Sequence, residues 1–261
     1  MIVVKFGGHA MKDEDGGFSK AIAGALAAGE SIIVVHGGGP QIDKALAASG
    51  IESKFIGGFR YTTAQAFDVV ESVLVGEVGQ NLAAALCDNG VSAQALSGRT
   101  LPTLIARKKT SLVDGTEVDL GQVGDVVSVD TSVIRKILDE AKVPVVAPIA
   151  VDEKSTNGLN VNADLAAAAI AGAMDASSLI ILTDVPGIYR NWPDKDSLIS
   201  TITYKELAAM KSTFQEGMAP KVQAVLDAID QGAEAVRIID GTNSQNLVDA
   251  LSGVGGTLVN A

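Results

Sequence analysis

Two glycine-rich turns within the first forty residues constrain the fold more than any other feature of the chain. Met1 to Phe6 (MIVVKF) is a β-branched run ending in Gly7-Gly8, and Ser31 to Val35 (SIIVV) is a second run ending in His36-Gly37-Gly38-Gly39. A helix-like segment follows each. In a parallel α/β sheet, turns at the carboxyl ends of strands border the ligand crevice, and glycines there let bare backbone N–H groups approach an anion. Two such turns can grip both ends of a phosphoryl group in transit. Lys5, one step before the first turn, adds an ammonium group to the same crevice.

The alternation of strand and helix continues along the chain. Phe18 to Gly29 has amphipathic helical spacing and leads into the second strand as a right-handed βαβ unit. Pro40 to Ala48 predicts a helix that starts on the triple glycine, its positive end facing whatever anion the turn holds. Gly57-Gly58-Phe59-Arg60-Tyr61-Thr62-Thr63 reads as a loop in which Thr62 or Thr63 caps a long helix from Ala64 to Asp88. That helix has more small and branched residues (Ala66, Val69, Val70, Val73, Leu74, Val78, Leu82, Ala85) than one core contact needs, which suggests a subunit interface. Val91 to Leu96 predicts a strand, and Leu104 to Asp125 predicts hairpins with a turn at Asp114-Gly115. Thr131 to Ala141 reads as a helix and Val143 to Ile149 as one buried strand.

Asn157 to Asp164 (NGLNVNAD) then precedes an Ala-rich helix over Leu165 to Met174. Asn and Asp commonly serve as caps and turn formers, so one cap accounts for one of Asn160, Asn162 and Asp164. The alternation of all three at the mouth of a sheet asks for more. Ser178 to Leu182 is a further strand, running into the turn Thr183-Asp184-Val185-Pro186-Gly187. Glu216 to Lys221 opens a helix over Val222 to Gly232, and Val236 to Asp240 is another strand. The pattern predicts an α/β protein, a three-layer α/β/α sandwich around a mainly parallel open sheet. A soft boundary near Gly172 divides it into lobes 1–172 and 173–261.

Composition narrows the function classes. With 261 residues, 47% of them hydrophobic, the chain can bury a large core. A net charge of −11 argues against nucleic acid, which usually asks for a basic face. The single cysteine, Cys87, excludes an internal disulfide and reads as a small buried residue on a helix. No apolar run approaches the ~20 residues of a membrane span, and the chain opens on a strand rather than a signal peptide. A cytoplasmic protein without membrane contact is expected.

The chemistry is narrowed by elimination. The chain has neither a Gly-x-x-x-x-Gly-Lys-Ser/Thr loop nor a Gly-x-Gly-x-x-Gly fingerprint. It has two histidines, and no second one lies near His36, which gives little support to a histidine metal site or a Ser-His-Asp hydrolase. His36 reads as a brace for the glycines. What remains is the paired turns, the lysines Lys5 and Lys221, the Asn/Asp cluster, and Arg60, which beside paired glycines suits either a carboxylate fork or the plain surface. That set fits phosphoryl transfer, where positioning and charge stabilisation do most of the catalysis. A carboxylate acceptor is already ionised at neutral pH and needs no general base. The obstacle is repulsion between anions, which lysines, backbone N–H groups and magnesium offset.

VVKFGG, VVHGGGPQI, GGFRYTT, VGDV, NVNAD, LTDVPGIY and GMAPKV occur in order along essentially the whole chain. In these strings the sequence resembles the acetylglutamate kinases of the amino acid kinase superfamily. The resemblance implies an amino-terminal lobe (1–172) for acetylglutamate and dimerisation, and a carboxy-terminal lobe (173–261) for MgATP. The implied reaction moves the γ-phosphoryl of ATP to the side-chain carboxylate of N-acetyl-L-glutamate, an early step of arginine synthesis. By the same resemblance, Lys5 and Lys221 are the transition-state stabilisers, and Gly8 and Gly38 donate N–H groups to the phosphoryl. Asp164 orients both lysines. Gly38, Gly39, Arg60 and Asn160 bind acetylglutamate, Arg60 taking its α-carboxylate. Gly7, Thr183, Asp184, Gly187 and Met218 join Lys5, Gly8 and Lys221 in the nucleotide-binding set. Magnesium rides on phosphates and water, with no metal ligand assigned to the chain.

Two departures stand out. Leu96 to Pro102 (LSGRTLP) lacks the acidic residues usual after this Ser-Gly. The amino-terminal helix of arginine-inhibited members is not seen before the first strand, so a homodimer without that feedback is expected. Two alternatives remain: a kinase of the same family acting on carrier-protein-linked aminoadipate or glutamate, in lysine or ornithine synthesis, and a non-catalytic nucleotide sensor.

Overall fold

Val, Ile and Leu fill the central strands without alternation because both faces of the sheet are covered. The computed structural model describes residues 1–7, 16–99, 101–112, 114–214 and 218–261, the side chain of Pro220 excepted. The chain begins β1 (Ile2–Phe6), α1 (Gly17–Ala27), β2 (Ile32–His36), α2 (Gly39–Ala48), then the short strands β3 (Phe55–Ile56) and β4 (Phe59–Arg60). It goes on through α3 (Ala64–Glu71), α4 (Gly79–Asp88), β5 (Ala93–Ser97), β6 (Leu104–Lys108), β7 (Val123–Val129) and α5 (Ser132–Asp139). Next come β8 (Val143–Ala147), β9 (Ile149–Asp152), β10 (Gly158–Val161), α6 (Ala163–Ala173) and β11 (Ser178–Thr183). The chain closes with β12 (Thr201–Thr203), α7 (Tyr204–Met210), α8 (Met218–Asp230), β13 (Ala235–Asp240), α9 (Ser244–Leu251) and β14 (Thr257–Asn260).

The main sheet has eight strands in the order β12-β14-β13-β11-β1-β2-β8-β5. All neighbours are parallel except β13 and β14, as the sequence pattern predicts. Successive residues of β1 face opposite layers. Val3 joins a core with α5, α6 and α8 (Ile134, Ile170, Val225), while Ile2 and Val4 join one with α1, α4 and α9 (Ile22, Leu86, Leu247). β1 lies between β2 and β11, the place where strand order reverses, and such a switch point opens a crevice at the strands' carboxyl ends.

The elements depart from expectation at several points. Val143 to Ile149 is not one strand: β8 ends at Ala147 in the main sheet, and after Pro148 the chain enters a closed four-stranded barrel as β9, beside β10, β7 and β6. Proline has no N–H for a ladder, so the strand changes sheets there. The predicted hairpins over Leu104 to Asp125 supply the antiparallel pair β6–β7 of this barrel. Gly57 and Gly58 are the central residues of a β3–β4 hairpin, with φ of 56° and 83°, the left-handed pair that a two-residue turn requires.

The long helix over Ala64 to Asp88 is present, but Ser72–Val78 is a π-helical stretch, in which the N–H of Gly79 reaches back to the carbonyl of Leu74. Thr63 is its cap, Oγ1 accepting from Ala66 N at 3.1 Å. Six of the eight apolar residues that suggested an interface (Ala66, Val70, Val73, Leu74, Val78 and Leu82) are buried within the chain itself. Cys87, expected in the core, is exposed, because the face of α4 that packs inward carries Leu82, Ala83 and Leu86 instead. This 25-residue helix is long and apolar enough on average to cross a bilayer, but Asp68, Glu71, Glu77 and Asp88 interrupt it, so no uncharged run of spanning length is present. Its small, weakly charged residues raise the hydropathy of a core helix.

Gly121 fixes the barrel against the loop that follows β4. Its φ is 73°, and a Cβ there would overlap the carbonyl of Thr62, which accepts from the Gln122 N–H at 2.6 Å. Gly121→Ala is therefore expected to destabilise the chain by more than about 1 kcal/mol, read from urea midpoints at unchanged slope.

Candidate active site

Asp164 is the second residue of α6, and the helix is capped by Asn162, whose Oδ1 accepts from Asp164 N at 2.8 Å and Leu165 N at 3.3 Å. The cap fixes the first turn and aims the Asp164 side chain at two lysines. Lys5 Nζ lies 3.0 Å from Oδ1 and Lys221 Nζ 2.9 Å from Oδ2. Lys5 comes from the central strand and Lys221 from the first turn of α8, so one carboxylate joins ammonium groups of distant sequence. All three are shielded, with side-chain exposures of 8%, 6% and 19% for Lys5, Asp164 and Lys221.

Burial alone would raise the Asp164 carboxyl, but the charges of Lys5 and Lys221 and their hydrogen bonds outweigh it and hold it well below the usual carboxylate range. For Lys5 burial wins and its ammonium is pushed down. Lys221 is less enclosed: burial lowers it, but the Asp164 carboxylate prevails and raises it.

The lysines line a cavity of about 250 Å³ together with Gly38, Gly39, Arg60, Asn160 and Asp164. Arg60 and Asn160 meet through Thr62: Asn160 Nδ2 donates to Thr62 Oγ1 at 3.2 Å, and that hydroxyl donates to the Arg60 carbonyl at 2.7 Å. The Arg60 guanidinium is buried, contacts Asp43 and Ser53, and lies 4.5 Å from the Phe55 ring. Arg60 is thus no surface arginine.

The second glycine turn is packed from behind. A Cβ on Gly38 would meet Leu74 of the π-helical stretch at 2.7 Å. His36 is fully buried, and burial pulls its imidazole down to about 4, so it is neutral at physiological pH. Nδ1–H donates to the Gly37 carbonyl at 2.8 Å, the bracing contact expected of it.

The other predicted residues divide. A Cβ on Gly7 would lie 2.9 Å from Lys5 Nζ, so a side chain there displaces the ammonium group. Gly8 lies outside the described residues. Thr183 ends β11 beside β1, and the charge of Asp184 acts on both Lys5 and Lys221. Gly187 packs against Thr257, whose Oγ1 accepts from Ile188 N at 2.8 Å, and Met218 opens α8 ahead of Lys221. None of these last four lines the cavity. Sequence reasoning missed Asp43, Ser53, Phe55 and Thr62. Their only local signal is polarity near Arg60, and their roles depend on contacts across up to 98 positions, the separation of Thr62 and Asn160.

A parallel sheet that brings two lysines, one aspartate and a glycine turn at a helix start to its switch point makes a site for an anionic ligand. The profile of the Amino acid kinase family matches residues 1–240, and the chain belongs to that family. Among its relatives, the acetylglutamate kinase of Paenarthrobacter aurescens (strain TC1) is 47% identical over 251 residues, covering 92% of this chain and 79% of that one. The acetylglutamate kinase of Corynebacterium jeikeium (strain K411) is 40% identical, covering 98% and 81%. A crystal structure of the Streptococcus mutans UA159 protein smu.665 aligns with a TM-score of 0.82 at 29% identity, covering 100% of this chain and 98% of that one. A Giardia lamblia carbamate kinase bound to AMP-PNP, at 19% identity and a TM-score of 0.69 over 99% and 97% of the two chains, shares the fold.

Proposed function

We propose that this chain transfers the γ-phosphoryl of ATP to the side-chain carboxylate of N-acetyl-L-glutamate, giving N-acetyl-glutamyl 5-phosphate for arginine synthesis in the cytoplasm. The observation that carries this reading is the Asp164 bridge, which holds two buried ammonium groups at the reacting end of a cavity whose wall carries Arg60 and Asn160. The acceptor's α-carboxylate docks on Arg60 and its distal carboxylate attacks the γ-phosphorus, the bond to the β,γ-bridging oxygen breaking as ADP leaves. Lys5, Lys221 and the Gly38 N–H stabilise the charge that builds on the phosphoryl oxygens. Asp164 keeps both ammonium groups charged and aimed, and no side chain has to remove a proton.

Among the described residues Asp164 is the one carboxylate lining the cavity, and it is taken up by lysines. Magnesium, the usual companion of ATP, would take its ligands from phosphates and water and supply charge neutralisation. In this reading Gly7, Gly8, Thr183, Asp184, Gly187 and Met218 belong to the nucleotide side, the lobes divide near Gly172, and the chain works as a homodimer. Light scattering at 26.6 kDa per chain tests the last point.

The direct test is trapping of the acyl phosphate with hydroxylamine over a panel of carboxylic acids. Turnover is expected with free N-acetyl-L-glutamate; preference for a carrier-linked substrate would overturn that choice, and ATP binding without any hydroxamate would leave a sensor. Arg60→Ala is expected to raise the acetylglutamate KM by roughly 10- to 100-fold, the loss of a charge-assisted contact of about 1.5–3 kcal/mol. An unchanged KM in steady-state kinetics would remove Arg60 from the acceptor site.

A further inference from the structure

The buried guanidinium of Arg60 does not stand alone. Nη1 lies 2.5 Å from Asp43 Oδ1 and also donates to Ser53 Oγ, and that hydroxyl donates to the same Asp43 oxygen at 2.6 Å. The Phe55 ring covers the guanidinium at 4.5 Å. These contacts occupy one corner of the fork, and among the described residues Nη2 and Nε carry no partner. Three residues outside the reacting centre therefore hold Arg60 with its remaining donors free for a carboxylate.

Asp43 belongs to α2, the helix whose first residue, Gly39, lines the same cavity and whose cap is Gly38. Asp43 follows Gly39 by four residues, about 6 Å along the axis. One helix thus lines the cavity at Gly39 and, through Asp43, also holds the Arg60 fork that lines it. The spacing between fork and phosphoryl site is set by a helix rather than by a loop.

We infer that Asp43 is a positioning residue for acceptor length: by tying Arg60 to α2 it sets the distance between the α-carboxylate fork and the phosphoryl site, and so selects the five-carbon dicarboxylate over its four- and six-carbon homologues. The inference rests on the acceptor reading above. A carboxylate one methylene too short or too long must give up either the fork or the line of attack. Discrimination of roughly 10- to 200-fold is what a methylene difference commonly provides in a fitted site. Asp43 touches neither reacting atom.

The test compares kcat/KM for N-acetyl-L-aspartate, N-acetyl-L-glutamate and N-acetyl-L-2-aminoadipate in the wild type, Asp43→Asn, Asp43→Glu and Ser53→Ala. Asp43→Asn is expected to raise the acetylglutamate KM about 10-fold while kcat and the ATP KM stay within about 3-fold, and to reduce the preference for the five-carbon acid at least 5-fold. Asp43→Glu, which keeps the charge on a longer stem, is expected to shift the preference toward the shorter acid. If Asp43→Asn fails to fold, Ser53→Ala reads the same preference with the charge pair intact. A wild type that phosphorylates acetylglutamate together with folded variants of unchanged length preference would overturn the inference alone. A wild type silent toward all three acids would overturn the acceptor reading and the inference with it.

Discussion

Asp164→Asn is expected to abolish measurable turnover and to lower the stability of the chain by about 3–5 kcal/mol, because it leaves ammonium groups in a shielded site without their shared counter-charge. For a chain of this size that is on the order of 10 °C in Tm. The pH dependence separates this mechanism from ordinary packing damage. Lys5 already has its ammonium pushed down by burial, and without Asp164 only the weaker pull of the Asp184 charge is left to oppose that push. The unfolded chain then binds more protons than the folded one, so the variant's stability rises with pH and its deficit narrows between neutral and alkaline conditions. In acid the gap closes from the other side. The Asp164 carboxyl is held below its unfolded value, so its contribution is fully present above about pH 4 and is lost as pH falls toward the folded-state value. Thermal melts of both proteins from pH 3 to 9 check this, and a gap that is constant across that range would contradict the ion-bridge account.

Lys221→Ala is expected to lower kcat by 10²-fold or more, since a donor aimed at transition-state charge is worth about 3 kcal/mol. Its effect on stability is expected to be much smaller than that of Asp164→Asn. Asp164 keeps Lys5 at 3.0 Å, and the Lys221 side chain is the most exposed of the three. A steady-state comparison in which kcat falls while both KM values hold within a few fold places the loss in the transition state. A fall in Tm that matches the fall in activity would instead make Lys221 a structural partner of Asp164.

Much of this arrangement is written locally. β-branched runs ending in glycines fix β1, β2 and the crevice between them, since a strand period followed by a turn signal needs no distant information. The alternation Asn160, Asn162, Asp164 resolves as its spacing suggests: the middle residue caps α6, while those on either side reach Thr62 and the lysines. The barrel is less legible, because β9 is apolar like β8, and only Pro148 marks the change of sheet. The exposed Cys87 was misplaced because α4 is rich in small residues on every side, and periodicity does not choose among them. Asp43 was passed over for a different reason. A charged residue one turn into a helix looks solvated until the fold brings Arg60, 17 positions later, across it.

The pairing of β1 with β11 has a mechanical corollary. In the main sheet β2, β8 and β5 stand on one side of β1 and β11, β13, β14 and β12 on the other, the latter joined through the register Ile2↔Ser178 to Lys5↔Ile181. Helices α6 and α8 close the same seam on one face and α1 and α9 on the other, so both sides of β1 are held as one body. Lys5, on the strand between them, is anchored to both sides at once.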